Sequence, residues 1–362
     1  AARATPPVYS LQAAADAYLH LEQPEQAREL YLQVLAAEPN NLKARLGLFY
    51  ALIEMEDFPA ARELVDTLNS EQPIWLRPGG SQAPRRNPDK LDAEIAATLY
   101  RNFSGQLAQA QASFERMRQL APQNPDLRHE LAGTYLARGW ARRAVEEYRL
   151  GLTVEPEHRG MQAGLAGNLL RLNEFETAEA EILRLTDEFS EFKPVQRLRR
   201  SWHLHNLREL RVAAGYGRAN GGAIASRDLQ LESTLYSSPL FYHYRGFVSH
   251  SWNRGEFPEG DGIVHRYGFG VDYRGRDFEG EAALTLVNAA DTKPGLRLAG
   301  TWSPDDHWAL PAALELISRD TPTRALRAGI QADSLRLGAR YRWHESRQWG
   351  GNLQLMSFSD GN

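Results

Sequence analysis

The chain has 362 residues with 42 Lys+Arg against 46 Asp+Glu, a formal net charge of −4, so it carries no polyanion-binding footprint and nucleic acid is not an expected partner. Its length admits two domains, and its zero cysteines exclude a disulfide framework and thiol chemistry. No apolar run approaches the length of a membrane-spanning helix, which leaves β-barrel strands open, because these alternate and average out polar. No apolar stretch of the signal-peptide kind follows the first residues, and the last ones end in turn chemistry just after a strand, so the chain reads as an internal piece of a longer protein.

The first half repeats itself. A small residue in similar contexts recurs at Ala27, Ala61, Ala110, Ala144 and Ala178, at spacings of 34, 49, 34 and 34, the 49 being 34 plus an insert of 15. Pro39, Pro73, Pro122 and Pro156 keep the same phase, with Ser190 in the fifth place. Tyr18 and Tyr135 fall on first helices, and Tyr31, Phe114 and Tyr148 on second helices. A 34-residue helix–turn–helix unit of this kind resembles the tetratricopeptide repeat. Small residues let paired helices approach, and the proline stops the second one. Five repeats are expected at about 8–41, 42–74, 91–124, 125–158 and 159–192, giving a repeat domain over 1–193 and a connector over 194–206.

The repeating Ala, Tyr and Leu positions are read as packing between repeats. Function is expected on the concave face made by the first helices, where register against the repeat pattern puts Asp16, Tyr50, Asp92, Asn102 and His129. Each also has the plainer reading of a solvated helix face. The insert at 74–88, rich in Pro, Gly and Arg, is expected to be an irregular loop, and Trp75 beside Arg85 and Arg86 makes it a candidate docking element.

Beyond residue 206 the periodicity switches from about 3.6 to 2. Nine strands are predicted, at roughly 207–217, 228–236, 242–252, 262–273, 278–287, 295–302, 308–318, 335–343 and 349–358. One parity is apolar, as in Leu335, Leu337, Ala339, Tyr341 and Trp343; the other is polar, as in Arg336, Arg340 and Arg342. Connections after odd-numbered strands are read as long (218–227, 253–261, 288–294, 319–334) and those after even-numbered strands as short. Alternation, sidedness and aromatics at strand ends predict an antiparallel up-and-down outer-membrane β-barrel over 207–362, with the repeats on the short-turn, periplasmic side. Nine strands leave it open, so the chain is not expected to close a barrel alone. A soluble sandwich is the competing fold.

Repeats joined to a barrel resemble the export porins of poly-β-1,6-N-acetyl-D-glucosamine, the PgaA/HmsH family. The resemblance is carried by Asp320-Thr321-Pro322-Thr323-Arg324-Ala325, Ala332-Asp333-Ser334, Tyr341-Arg342-Trp343-His344-Glu345 and Phe358-Ser359-Asp360-Gly361-Asn362. It implies a barrel that passes a partly deacetylated polysaccharide outwards and a repeat domain that recruits the periplasmic deacetylase. Free amines make such a polymer a weak polycation. Inward carboxylates would attract it, and many weak sites would let it leave. Lumen parity gives Glu209, Glu232, Asp272, Glu279, Glu281 and Glu315 as candidates, with Tyr236 as a surface for stacking on sugar rings. A second reading stands beside this: the acids pair with inward arginines such as Arg211, Arg245, Arg266, Arg297, Arg336 and Arg340 and stiffen the wall.

The chain has no G-x-S-x-G, P-loop or H-E-x-x-H pattern, and neither a catalytic site nor a cofactor is predicted. His203 and His205 would share a face only in an extended segment, so no metal site is expected there. Asp305-Asp306-His307 reads as a solvated turn, and Glu259-Gly260-Asp261-Gly262 as turn chemistry or a loop calcium. The alternatives to the export porin are a cellulose-type exopolysaccharide exporter and an envelope scaffold that conducts nothing.

Overall fold

The computed structural model describes residues 6–77, 83–218 and 227–361; part of the insert and of the first strand connection lie outside these. Helices α1 (Val8–His20), α2 (Pro24–Ala37), α3 (Leu42–Glu54), α4 (Phe58–Glu71), α5 (Pro88–Phe103), α6 (Leu107–Leu120), α7 (Pro125–Ala137), α8 (Ala141–Val154), α9 (Arg159–Arg171) and α10 (Phe175–Glu188) form the five expected pairs, followed by α11 (Lys193–His205). Side chains of Asn41, Asp57, Asn87 and His158 accept the N–H groups that open α3, α4, α5 and α9, which fixes where those helices begin.

The repeat phase is a packing phase. Ala27, Ala61, Ala110, Ala144 and Ala178 are all fully buried. The ring of Tyr31 lies where a Cβ on Gly47 would stand, 2.2 Å from Cζ, and Tyr148 meets Gly164 in the same way at 2.5 Å. A second-helix tyrosine therefore seats on a bare first-helix backbone in the next repeat. The insert departs from expectation: Trp75–Leu76 (β1) and Arg85–Arg86 (β2) pair as a short antiparallel ladder, because both segments are extended and Asn87 ties the return strand to Pro73 O at 2.9 Å.

The chain separates into two compact units, Ala1–Thr134 and Tyr135–Asn362. The second contains α8 to α11 and a nine-stranded antiparallel sheet in sequential order. Its strands are β3 (Glu209–Arg218), β4 (Arg227–Tyr236), β5 (Tyr244–Phe257), β6 (Gly260–Arg274), β7 (Phe278–Asn288), β8 (Thr292–Trp302), β9 (Trp308–Leu316), β10 (Ala332–His344) and β11 (Arg347–Phe358). A short helix, α12 (Thr323–Arg327), lies between β9 and β10. No described helix is long and apolar enough to cross a membrane.

The expected alternation of long and short connections is not what the structure has. β5 and β6 are joined by 258–259 alone and β7 and β8 by 289–291, whereas the turn at 237–243 is longer than either. Antiparallel pairing needs only backbone, so polar residues such as Asn253 and Asp261, read as loop, stay in the ladder and lengthen the strands. Only 317–331, among the described connections after odd strands, is long.

Candidate functional site

In the first unit, four polar groups on consecutive first helices gather: Tyr50 on α3, Asp92 on α5, and Asp126 and Glu130 on α7. Burial, then Glu130, Asp92 and Asp126, push the Tyr50 phenol well above its usual range. Burial and then Asp126 raise Glu130 to about 7, and burial with Asp89 and Asp126 raises Asp92. Sequence reasoning missed Asp126 and Glu130, yet Asp126 lies one 34-residue period after Asp92. Asn102 and His129 stand on the first helices α5 and α7. Asp16 instead accepts the Tyr31 hydroxyl at 2.6 Å, tying the two helices of one repeat together. Trp75 is half exposed, with the Arg86 guanidinium 5.7 Å from its ring centre.

In the second unit, the last repeats are seated on one end of the sheet. Arg142 donates to Asp277 at 2.6 Å, to Ser303 O at 2.7 Å and to Arg276 O at 3.1 Å. The Asp306 carboxylate accepts the backbone N–H groups of Arg142 and Arg143 at 2.9 and 3.1 Å. The Asp305–Asp306–His307 turn is therefore no solvated turn: α8 has no side-chain cap of its own, and Asp306 supplies the anion its N-terminus lacks. Arg138 pairs with Glu345 at 3.2 Å and lies over the Trp140 ring, which also meets His307 edge-on. Asn173 donates to Glu279 at 2.7 Å and to Gly275 O, and Tyr242 donates to Glu179 at 2.8 Å. These contacts fall on the turns after even-numbered strands, counting from β3, or, for Glu279, on the strand residue just beyond one of them. The repeats mark that end of the sheet.

His205 ends α11 where the chain enters β3. Its ring stacks between Phe175 and Trp202, and its carbonyl accepts Arg245. Burial, then Arg245 and Arg274, lower its pKa to about 4, so it is neutral at pH 7. On a helix His203 and His205, two residues apart, do not face each other.

The two faces of the sheet differ as parity predicts. Leu210, Val212, Tyr216, Val248, Tyr267, Phe269, Leu284, Leu353 and Trp349 stand exposed on one face. The other face is partly roofed. After Leu316 the chain turns through Ile317 at φ 54°, and 317–331 crosses that face as a strap. Arg266 donates to Ile317 O and Ser318 O, the latter at 3.1 Å, and Leu326 of α12 joins Val264, Val287 and Ile317 in a small dry core. Arg324 and Arg327 reach Glu259, at 2.5 Å for Arg324. Arg319 at the start of the strap lies 3.3 Å from Glu232 on β4. β4 and β9 are five strands apart in the sheet, about 24 Å at roughly 4.8 Å per strand. One arginine bridges them because the sheet curls, with the polar face inside.

Residues 204–362 match the family described as the PgaA membrane beta barrel domain, and residues 11–73 and 104–157 match the tetratricopeptide repeat. The chain is similar to the PgaA family across its β half. It is 32% identical over 360 residues to the poly-beta-1,6-N-acetyl-D-glucosamine export protein of Escherichia coli K12, covering 96% of this chain and 44% of that protein, and equally to the O157:H7 protein. A solved bacterial polysaccharide outer membrane secretin shares 32% identity, with 43% of this chain and 53% of that one aligned at a TM-score of 0.40. A thermophilic repeat protein of Thermus thermophilus aligns over 55% of this chain and all of its own, at 15% identity and a TM-score of 0.44. The chain spans under half the length of the curated relatives it matches. Its β half is an outer-membrane barrel wall and its repeats lie in the periplasm.

On this PgaA-type wall most of the expected acids are already engaged. Glu281 and Glu315 flank Arg297, and Glu315 also accepts the Arg319 N–H at 2.8 Å. At 7% exposure Glu315 is buried under the strap and offers no carboxylate to the lumen, contrary to expectation. Tyr236 is likewise withdrawn: it is 8% exposed, packed on Phe247, with the Arg211 guanidinium 4.9 Å from its ring centre, where a sugar would have stacked. Glu209 pairs with Arg211 and Arg245, and Asp272 with Arg274 at 2.9 Å. Glu232 keeps half its side chain exposed, and Glu279 faces the rim beside Asn173. The expected alternative of a calcium loop is accounted for, since Glu259 holds the strap and Asp261 pairs with Arg254.

Proposed function

We propose that this chain is part of an outer-membrane porin that exports a partly deacetylated poly-β-1,6-N-acetyl-D-glucosamine, and that its repeats recruit the periplasmic deacetylase. The observation that carries the reading is identity across both halves at once: 32% over 96% of the chain, to proteins named for exporting that polymer. The curled sheet with a polar, roofed interior supports a conduit. Glu232 at the strap and Glu279 at the rim are the acids with room to meet an amine. The concave groove of Tyr50, Asp92, Asp126 and Glu130, with Asn102 and His129 on the same helices, is the proposed docking face, and Trp75 a second contact. The protein acts as a conduit, without catalysis of its own.

The test is single-channel current through the full-length protein while β-1,6-glucosamine oligomers are titrated in with and without acetyl groups. Transient block favouring partly deacetylated oligomers, weakened by Glu232→Gln, is the expected result. An open channel indifferent to them moves the substrate elsewhere. For the partner, repeats carrying Asp92→Lys and Asp126→Lys should fail to retain the deacetylase that the wild-type repeats hold.

A further inference from the structure

The outward face of the sheet carries a cluster of charge just beyond its apolar band. Arg218 and Arg227 are exposed and directly opposite each other at the far ends of β3 and β4. The next outward row runs Tyr216, Leu229, Arg254 and Ile263. Arg218, Arg227 and Arg254 share the parity of Val212, Leu231 and Val248, so all three point away from the lumen.

Their height along the barrel follows from strand geometry. Tyr273, on the same outward parity, sits at the repeat-bearing end beside Tyr244. A strand rising about 3.4 Å per residue and tilted by roughly 40° climbs ~2.6 Å per residue, so an apolar band ~25 Å tall ends about ten residues on. Ten residues from Tyr273 is Ile263, and Arg254 stands opposite it. Just below lies a ladder of rings, in which His250 stacks on Tyr267 and His265 and Trp252 stands opposite His265. Rings with half-polar edges belong at the interface. Arg254 therefore emerges one row above the outer aromatic girdle and Arg218 and Arg227 two rows above it, at the level of the outer leaflet's headgroups.

Two acids share the cluster: Glu256 lies 3.7 Å from Arg227, and Asp261 2.7 Å from Arg254. One positive charge is left over. The Arg254 Nε is buried and has no hydrogen-bond partner. Like charges directly opposite in a ladder repel, and a phosphate between two guanidinium forks relieves this by accepting from both. We propose that Arg218, Arg227 and Arg254 seat the phosphate of an outer-leaflet glycolipid, whose acyl chains lie along Tyr216, Leu229 and the ring ladder.

The test is native mass spectrometry of the full-length protein in detergent, titrated with diphosphorylated lipid A, with dephosphorylated lipid A, and with inorganic phosphate. Saturable binding of the diphosphorylated lipid is expected, weakened at least about tenfold in R218Q/R227Q/R254Q, as for loss of charge-assisted contacts. The dephosphorylated lipid should bind both forms alike. R218Q/R227Q, which leaves the Arg254–Asp261 pair intact, gives the same reading if the triple variant fails to fold. Equal lipid binding by wild type and both variants overturns the site. Saturation by inorganic phosphate without preference for the lipid overturns the lipid assignment.

Discussion

The carboxylate of Asp306, in a turn of the barrel, accepts the backbone N–H of Arg142 at 2.9 Å, at the start of a repeat helix. A helix begun by Trp140, which cannot cap, borrows its cap from the wall it docks on. Substituting a capping acid by alanine costs about 0.5–2 kcal/mol. D306A should therefore raise amide exchange in the first turn of α8 and in the 303–307 turn together, while heat-modifiable migration of the barrel stays unchanged. Exchange that rises in α8 alone would mean the turn does not depend on the helix.

His205 sets a pH limit on the same junction. Its folded pKa of about 4 lies below the ordinary 6.5, so its contribution is complete above pH 6.5 and is lost as pH falls towards 4. Acid should loosen α11 from β3 within that window. H205F keeps the stack between Phe175 and Trp202 and removes the proton site. The thermal midpoint of this variant should be flat from pH 6.5 to 5, where the wild type falls. Parallel curves would exclude His205 as the titrating group.

Glu130 acts with the opposite sign. Raised to about 7, it favours the folded repeats below pH 4.5, and that contribution disappears as pH rises through about 7. E130Q should therefore raise the urea midpoint of the helical signal at pH 8.5 and leave it nearly unchanged at pH 4.5. The partner face is predicted to be least stable where it is most charged. An E130Q midpoint that matches wild type at both pH values would show that Glu130 is solvated and ordinary.

How far the sequence is legible depends on whether a residue answers to period or to partner. Ala27, Ala61, Ala110, Ala144 and Ala178 declare themselves because the same helix contact recurs, and strand parity declares Leu210 and Trp349 because lipid selects one face. Arg266, Glu315 and Tyr236 obey the same parity yet do not stand on open wall. What covers Arg266 and Glu315 is a connection whose path no periodicity records, and Tyr236 is closed off by Phe247 and Arg211. Asp306 and Glu259 look like turn residues because their partners lie 164 and 65 positions away. Asp126 is within reach of the repeat arithmetic, one period after Asp92.

The strap tests which contacts hold it across the lumen. Its ion pairs with Glu259 are half exposed, and such pairs contribute about 0–1 kcal/mol. Its buried contacts are stronger. Truncating a buried leucine costs about 2–5 kcal/mol, and Leu326 sits with Val264, Val287 and Ile317 over the inner wall. Removing Arg266 strands the carbonyls of Ile317 and Ser318 in a buried place, at about 1–3 kcal/mol each. E259A should then change single-channel conductance of the full-length protein by less than about twofold, while L326S and R266M should raise it and add flicker. Conductance that opens as far in E259A as in L326S would make the strap an electrostatic latch, responsive to salt. Indifference to salt with a strong response to L326S would make it a packed constriction, fixing how wide a chain the lumen admits.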